Sequence, residues 1–551
     1  VRAAGAAVVL LWSGLLTGAC MAQAPAEQSS EAAPVSLTIA RFAVEDGNPA
    51  LARRTERLLA PLRNRPVSLA AVRAAAQRLE QIYVDHGHLL TRVELPADEV
   101  APGGAFRIRI VHGFIERIDA DGVPSPARAR VLAYLLPLVG QRAITTARYE
   151  RAVLLANDLP TVDLRATLAT GTVPGGVILV VKGHYRPISG YASVDDFLPS
   201  LLGRTSFTVS AAYNPTRYLD QIYATASAAV DVDPFLAASR HRFLETGMRG
   251  GLGTSGAAVD FQYIWSATNP PLHGGESDFG NAFLDTAGAF RRVAIRVAYP
   301  LAKMTATTVT VDAGFDATAE FQLVNPFANS LYADHLRVLR LGFDFRHRFA
   351  ASTELTFGID FSQGIDAFGS RGPAQASATV PLSQPGASDV FSKWEWHGSL
   401  RRDLPRDFGL GVSAHGQYVA AHPLLLAEKF VLGGPNDLSA YDFADFSGDR
   451  GWVLRAELLR LFTWRQGDDV SLLQPYGFAA RGEVVNLQPL GFVHPAEIGN
   501  SAGAGIRGSL ARSQAQIGPV EVSAEMARQL NPDSDGLPDR WRVNLAVTVR
   551  Y

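Results

Sequence analysis

Apolar and polar residues alternate with period two over long stretches of this chain. At its end, Trp541, Val543, Leu545, Val547, Val549 and Tyr551 alternate with Arg542, Asn544, Ala546, Thr548 and Arg550. Successive side chains of a strand point to opposite faces, so one face here is apolar and the other polar or small. Leu339, Leu341, Phe343 and Phe345 alternate in the same way with Arg340, Gly342, Asp344 and Arg346. Val309 to Phe315, Leu355 to Phe361 and the Trp394 and Trp396 segment repeat the pattern. One wet face is ordinary in a soluble antiparallel sheet. Here, however, the polar face carries charges of both signs and the apolar face carries large aromatics, as lipid outside and an aqueous lumen inside require. The pattern predicts an antiparallel transmembrane β-barrel over residues 184–551, with about sixteen strands of ~10 residues. Its lipid face is expected to carry Leu341, Phe343, Phe357, Trp394, Trp396, Val547 and Val549. Its lumen is expected to carry Arg340, Asp344, Arg346, Asp360, Lys393 and Glu395. The last strand is expected to close against the first, with Val547, Val549 and Tyr551 as the C-terminal insertion signal.

Upstream the texture is mixed α/β. A first unit, residues 35–113, opens with Val35, Leu37 and Ile39 in alternation and continues through a helical stretch from Pro49 to Leu62. A second helix follows, with Ser68 as N-cap, Leu69, Val72, Leu79, Ile82 and Tyr83 on one stripe, and His86-Gly87 as the stop. Strands Leu89 to Leu95 and Ala105 to His112 flank a turn at Pro102-Gly103-Gly104. A second unit, residues 114–183, repeats this β-α-α-β-β order, with Pro174-Gly175-Gly176 at the matching turn. Two copies of one supersecondary unit are the economical reading.

Composition narrows the picture. A net charge of −2 gives no electrostatic case for nucleic acid as partner. Residues 1–22 read as a signal peptide, cleaved after Ala22 or Ala24, and 23–34 as a linker. The one cysteine, Cys20, falls in that leader, where Thr17 replaces the leucine that a lipidation signal favours. After cleavage no disulfide framework is possible. Beyond residue 20 no apolar run reaches the ~18 residues of a spanning helix, so insertion must be as strands.

Leu79 to Pro96 and Gly103 to Gly113 resemble the first periplasmic POTRA domain of the outer-membrane transporters of two-partner secretion, the hemolysin secretion/activation family. Phe430 to Gly434 (FVLGG) and Gly448 to Gly451 (GDRG) resemble the ends of that family's long sixth extracellular loop, and Gly503 to Gly508 (GAGIRG) resembles a late barrel strand. The resemblance implies two POTRA domains before a sixteen-stranded barrel in the outer membrane, exporting one large unfolded exoprotein from periplasm to surface. It implies capture of that cargo by strand addition to a POTRA sheet edge. It also implies a β-helical cargo encoded by an adjacent gene, contacts with outer-membrane lipids and the barrel assembly machinery, and neither cofactor nor enzymatic activity.

One departure from the family stands out. Its loop carries Val-Arg-Gly-Tyr/Phe after FVLGG, and that arginine pairs with an aspartate of a Phe-x-Asp strand motif. Here Ser439 stands at the arginine position, before Ala440 and Tyr441, and Ala480 stands at the aspartate position after Phe478. Losing one partner strands a charge at a cost of several kcal/mol, whereas losing both avoids it. The loop from Gly433 and Gly434 to Gly451 is therefore expected to be held in the lumen by other groups. Candidates are Asp437, Tyr441, Asp442, Asp445, Asp449 and Arg450, meeting lumen arginines such as Arg481 if that side chain faces inward.

Two chemical motifs remain. Gly499-Asn500-Ser501-Ala502-Gly503 fits the nucleophile-elbow spacing, but the following residues continue as a strand where that motif needs a helix. Asn531, Asp533, Asp535 and Asp539 are spaced like calcium ligands but lack the closing glutamate of an EF-hand. A barrel-assembly factor of the same superfamily is the main alternative function, and a passive porin a distant one.

Overall fold

The computed structural model describes residues 36–95, 100–101, 105–216, 219–230, 239–272, 284–325, 329–350, 352–467, 469–487, 495–510, 518–530 and 541–551. The leader, the linker, the Pro102-Gly103-Gly104 turn and the Asn531 to Asp539 acidic run lie outside the described residues. The chain divides into two compact units, Val1–Tyr185 and Arg186–Tyr551.

The first unit holds two small α/β sheets with the same strand order. In one, Ala105–His112 lies between Arg41–Glu45, to which it runs parallel, and the antiparallel Thr91–Glu94. In the other, Gly176–Tyr185 lies between the parallel Phe114–Gly122 and the antiparallel Val162–Thr170. Each sheet carries two helices, Ala52–Leu59 and Leu69–Asp85 in the first, Ser125–Leu135 and Thr146–Asn157 in the second. Helix Leu69–Asp85 begins where its cap dictates, because Ser68 Oγ accepts from the Ala71 N–H at 3.2 Å. It stops at His86 and Gly87, whose φ of 85° needs a residue without Cβ. Val72, Leu79 and Tyr83 are buried against Phe106, Ile108 and Ile110. One expectation is corrected. The first sheet strand is Arg41–Glu45, while Ser36–Thr38 pairs separately with Pro66–Ser68.

The second unit is a closed antiparallel barrel of sixteen strands, two of them interrupted, so that Pro271–Leu272 and Phe462–Gln466 continue the strands before them. Closure pairs the first strand, Ile188–Asp195, with the last, Trp541–Arg550, through Tyr191 opposite Arg550 and Val194 opposite Val547. Tyr551 extends the seam, since its backbone N–H and C=O both bond Gly190. Strands alternate between the end at which the chain enters at Ile188, the near end, and the opposite, far end.

Register separates the two faces as the alternation predicts. Leu341, Phe361, Trp394 and Tyr418 are cross-strand partners in one outward row. Phe343, Ile359 and Trp396 form the next. Arg340, Asp344, Arg346, Asp360, Lys393 and Glu395 occupy the opposite parity, toward the lumen. There they pair with one another and with their neighbours, as Arg346 does with Glu354 at 2.9 Å and His397 with Asp344 at 3.3 Å.

Candidate functional site: a loop latched inside the barrel

Residues 420–449 connect strands Phe408–Val419 and Arg450–Arg460 at the far end, and the loop turns back into the lumen. Its framework is a short hairpin, Phe430–Leu432 paired with Phe446–Gly448. The turn beyond it requires glycine. Gly433 and Gly434 have φ of 114° and 86°, and a Cβ at Gly433 would collide with the carbonyl of Asp442.

The root of the loop is tied to one side of the lumen. Glu428 is buried and accepts from Arg340 at 2.7 Å and from Lys393 at 2.8 Å. Lys393 Nζ also donates to Gln417 Oε1 and to the Glu428 carbonyl, both at 3.1 Å. A carboxylate removed from water is tolerable here because two cations pair with it. Asp449, at the loop's other root, accepts from the backbone N–H of Leu424 and of Leu487, each at 2.7 Å.

The tip is tied elsewhere. Ser439 is fully buried, and its hydroxyl accepts from Arg455 Nη1 at 2.5 Å. Arg455 Nη2 reaches Glu525 at 2.5 Å, its Nε reaches Glu457 at 2.8 Å, and the guanidinium lies 3.7 Å from the Phe478 ring centroid. Glu525 also accepts from the Tyr476 hydroxyl at 2.6 Å, and Arg507 holds Glu457 through two bonds of 2.8 Å. Asn544 donates to the Ser439 carbonyl at 2.9 Å, and Arg542 pairs with Asp442. Ser501 accepts from the Ala440 N–H at 3.1 Å, while Gln529 donates to its carbonyl at 3.2 Å. Tyr441 packs edge-on against Phe446.

Small residues make this seat possible. Side chains larger than hydrogen at Gly503 and Gly505 would run into the rings of Phe478 and Tyr476, and at Gly499 into Leu438. Gly499, Ser501 and Gly503 therefore receive the loop from within the continuous strand Ala496–Leu510, which does not turn at Ser501 as an esterase elbow would.

The chain is matched among known proteins. Residues 175–507 match the family described as haemolysin secretion/activation protein ShlB/FhaC/HecB, and residues 37–113 match the ShlB-type POTRA domain. The chain belongs to the haemolysin secretion/activation family. The outer membrane transporter CdiB of Escherichia coli is 20% identical over 423 residues, 76% of this chain and 68% of its own length. The solved structure of CdiB from Escherichia coli superposes with a TM-score of 0.74 at 19% identity, covering 96% of this chain and 93% of that one. CdiB from Acinetobacter baumannii gives 0.63 at 14% identity with the same coverage. At such identities the superpositions speak to the fold. Family membership makes the protein an outer-membrane transporter of two-partner secretion, with its POTRA domains in the periplasm. The near end of the barrel is therefore periplasmic and the far end faces the cell surface.

In haemolysin secretion/activation terms, Ala480 is the direct cross-strand partner of Arg455, and its small side chain leaves room beside the guanidinium. Two expectations about the loop are corrected. Arg481 faces outward, in a row with Leu454 and Asn500, because it neighbours the inward Ala480. Arg450 likewise starts its strand on the outward parity, opposite Val485. The arginines that meet the loop's tip are Arg455 and Arg542, as Arg340 meets its root. Both were legible as inward positions, Arg455 from its alternation with Leu454 and Ala456, Arg542 from the polar face of the last strand. Their partners were not, because loop and wall are far apart in sequence. Val547 and Val549 face outward in the closing seam.

Proposed function

We propose that this transporter passes one large unfolded exoprotein through its lumen, and that the latched loop must let go for the cargo to pass. The carrying observation is where the loop is tied. Arg340 belongs to the eighth barrel strand, Asn329–Phe349, and Asn544 to the sixteenth, Trp541–Arg550. Eight strands apart in a ring of sixteen are opposite walls, so a loop held by both crosses the lumen. Cargo is captured in the periplasm by strand addition to a POTRA edge, for which Arg41–Glu45 lies on the outside of the first domain's sheet. The cargo is a β-helical repeat protein from the adjacent gene, and the barrel assembly machinery reads the apolar last strand.

The test is co-expression with that neighbouring exoprotein. Surface release should require this chain, and deletion of residues 35–113 should abolish release while leaving an inserted barrel. Release at normal levels from the deletion would remove the capture role. Loss of unrelated outer-membrane proteins instead of the exoprotein would favour an assembly factor.

A further inference from the structure

On the outward face, three alternate strands end their apolar runs on arginine, in outward rows one pair apart. On Leu284–Lys303 the outward residues Tyr299, Val297, Ile295 and Val293 are exposed, and Arg291 comes next. Arg291 lies about 27 Å along the strand from Tyr299, or roughly 20 Å of height at a tilt of about 40°, close to the ~25 Å of a barrel's apolar band. On Asn329–Phe349 the exposed Leu341 and Leu339 are followed by Arg337. On His241–Leu252 the exposed Leu252 and Met248 lead through Leu244 to Arg242. All three arginines lie toward the cell-surface end.

Register places them together. Leu244, Trp265, Arg291, Ala319 and His335 are successive cross-strand partners. Arg242 lies over the Trp265 ring at 5.8 Å. Arg337 sits two residues below His335, so about 10 Å across the sheet and about 7 Å along it separate Arg291 from Arg337. Among the described residues, none of the three arginines has a carboxylate within ion-pair distance. The Arg242 Nε is buried without a hydrogen-bond partner. Arg337 donates only to carbonyls, those of Phe368 at 3.0 Å, Thr318 at 3.3 Å and Leu336 at 2.7 Å. Nearby acids are otherwise engaged or face away. Glu245 binds Gln262 in the lumen, Glu320 and Asp334 are inward, and Asp366 accepts from Ser370. Beside Arg337, Phe368 is 78% exposed and rests edge-on against the outward Phe315. An exposed aromatic next to guanidinium groups, above an apolar band, is the composition of a membrane interface.

We propose that Arg242, Arg291 and Arg337 form a seat for the phosphoryl headgroup of a lipid in the outer leaflet. Guanidinium groups bind phosphate through paired N–H donors, and the apolar rows beneath them would accept the acyl chains of the same molecule. A free phosphate shares the headgroup chemistry but would gain nothing from those rows.

The test is native mass spectrometry of the detergent-solubilised full chain with bisphosphorylated lipid A, with its dephosphorylated form, and with inorganic phosphate as competitor. The wild type should retain the phosphorylated lipid preferentially. Arg291→Gln with Arg337→Gln should lower retention by at least about tenfold, the worth of one to two charge-assisted hydrogen bonds. Lysine at both positions should keep most of it, and Arg402→Gln, outward at the periplasmic end, should change nothing. Heat-modifiable migration confirms that each variant barrel has closed. Equal retention of the two lipid forms, or an unchanged double glutamine variant, overturns the proposal. So does displacement by inorganic phosphate at equimolar concentration, which would mark a site for free anions.

Discussion

Arg455 donates to the hydroxyl of Ser439 at 2.5 Å, so the arginine that fastens this loop belongs to the barrel wall and not to the loop. Its carboxylate partner, Glu525, comes from the next-to-last strand rather than from position 480. The charged pair missing from the family's two motif positions is thus replaced by one displaced onto different strands. The loop supplies only a neutral acceptor.

Removing Arg455 therefore strands Glu525 in a buried site. Arg455→Ala is expected to cost about 3–5 kcal/mol of local stability and to free the loop. Ser439→Ala removes one hydrogen bond to a charged donor, about 1.5–3 kcal/mol. In planar bilayers the first should raise mean conductance well above wild type and the second modestly. Unchanged conductance in both would show that the tip does not hold the loop.

Restoring the family arginine should harm. Ser439→Arg sets a second guanidinium against Arg455, and its export should fall below wild type. Ala480→Asp, directly across from Arg455, supplies the acceptor and should recover part of that loss when combined with Ser439→Arg. Export by Ser439→Arg alone at or above wild type would contradict the displaced pair.

At the root, Glu428→Gln takes from the buried Lys393 its nearest carboxylate, while Arg340 keeps Asp316 at 2.6 Å. The expected cost is several kcal/mol, read as faster protease cleavage within residues 420–449 of the intact barrel. Pairing Glu428→Gln with Lys393→Met should recover protection, since it removes the cation that lost its nearest partner.

Val547 lies in the closing seam, between Val194 and Val522 on the lipid face. Val547→Arg is expected to destabilise by about 2–4 kcal/mol if it sits at mid-bilayer depth, and less nearer the interface. Urea titration followed by heat-modifiable migration measures it. Val547→Ile should be near neutral.

In the second periplasmic domain Glu116 closes the turn between Val162–Thr170 and Gly176–Tyr185. The Thr172 hydroxyl, then the Thr172 N–H, hold its carboxyl below the usual glutamate value of 4.5. A carboxylate lowered on folding stabilises fully above its unfolded value and loses that contribution as pH falls through the folded one. Amide exchange at residues 171–176 should therefore rise relative to the neighbouring strands below about pH 4.5, near the reference glutamate value. Glu116→Gln should remove that dependence.

The sequence alone determined the two-faced strands, the repeated β-α-α-β-β units and the Ser68 and His86-Gly87 helix ends. These are local, since period-two alternation and capping act between residues a few positions apart. It also exposed the absence of a charge at 439 and 480, because an absence is visible without coordinates. Only the tertiary structure decided what took its place. Ser439 meets Arg455 and Asn544, and Glu525 backs the arginine, because strand pairing brings residues up to about a hundred positions away onto one wall. Parity alone could point Arg481 outward, yet it could not choose which inward arginine the loop would find. That choice depends on shear and on glycines 499, 503 and 505, which open the space where loop and rings fit.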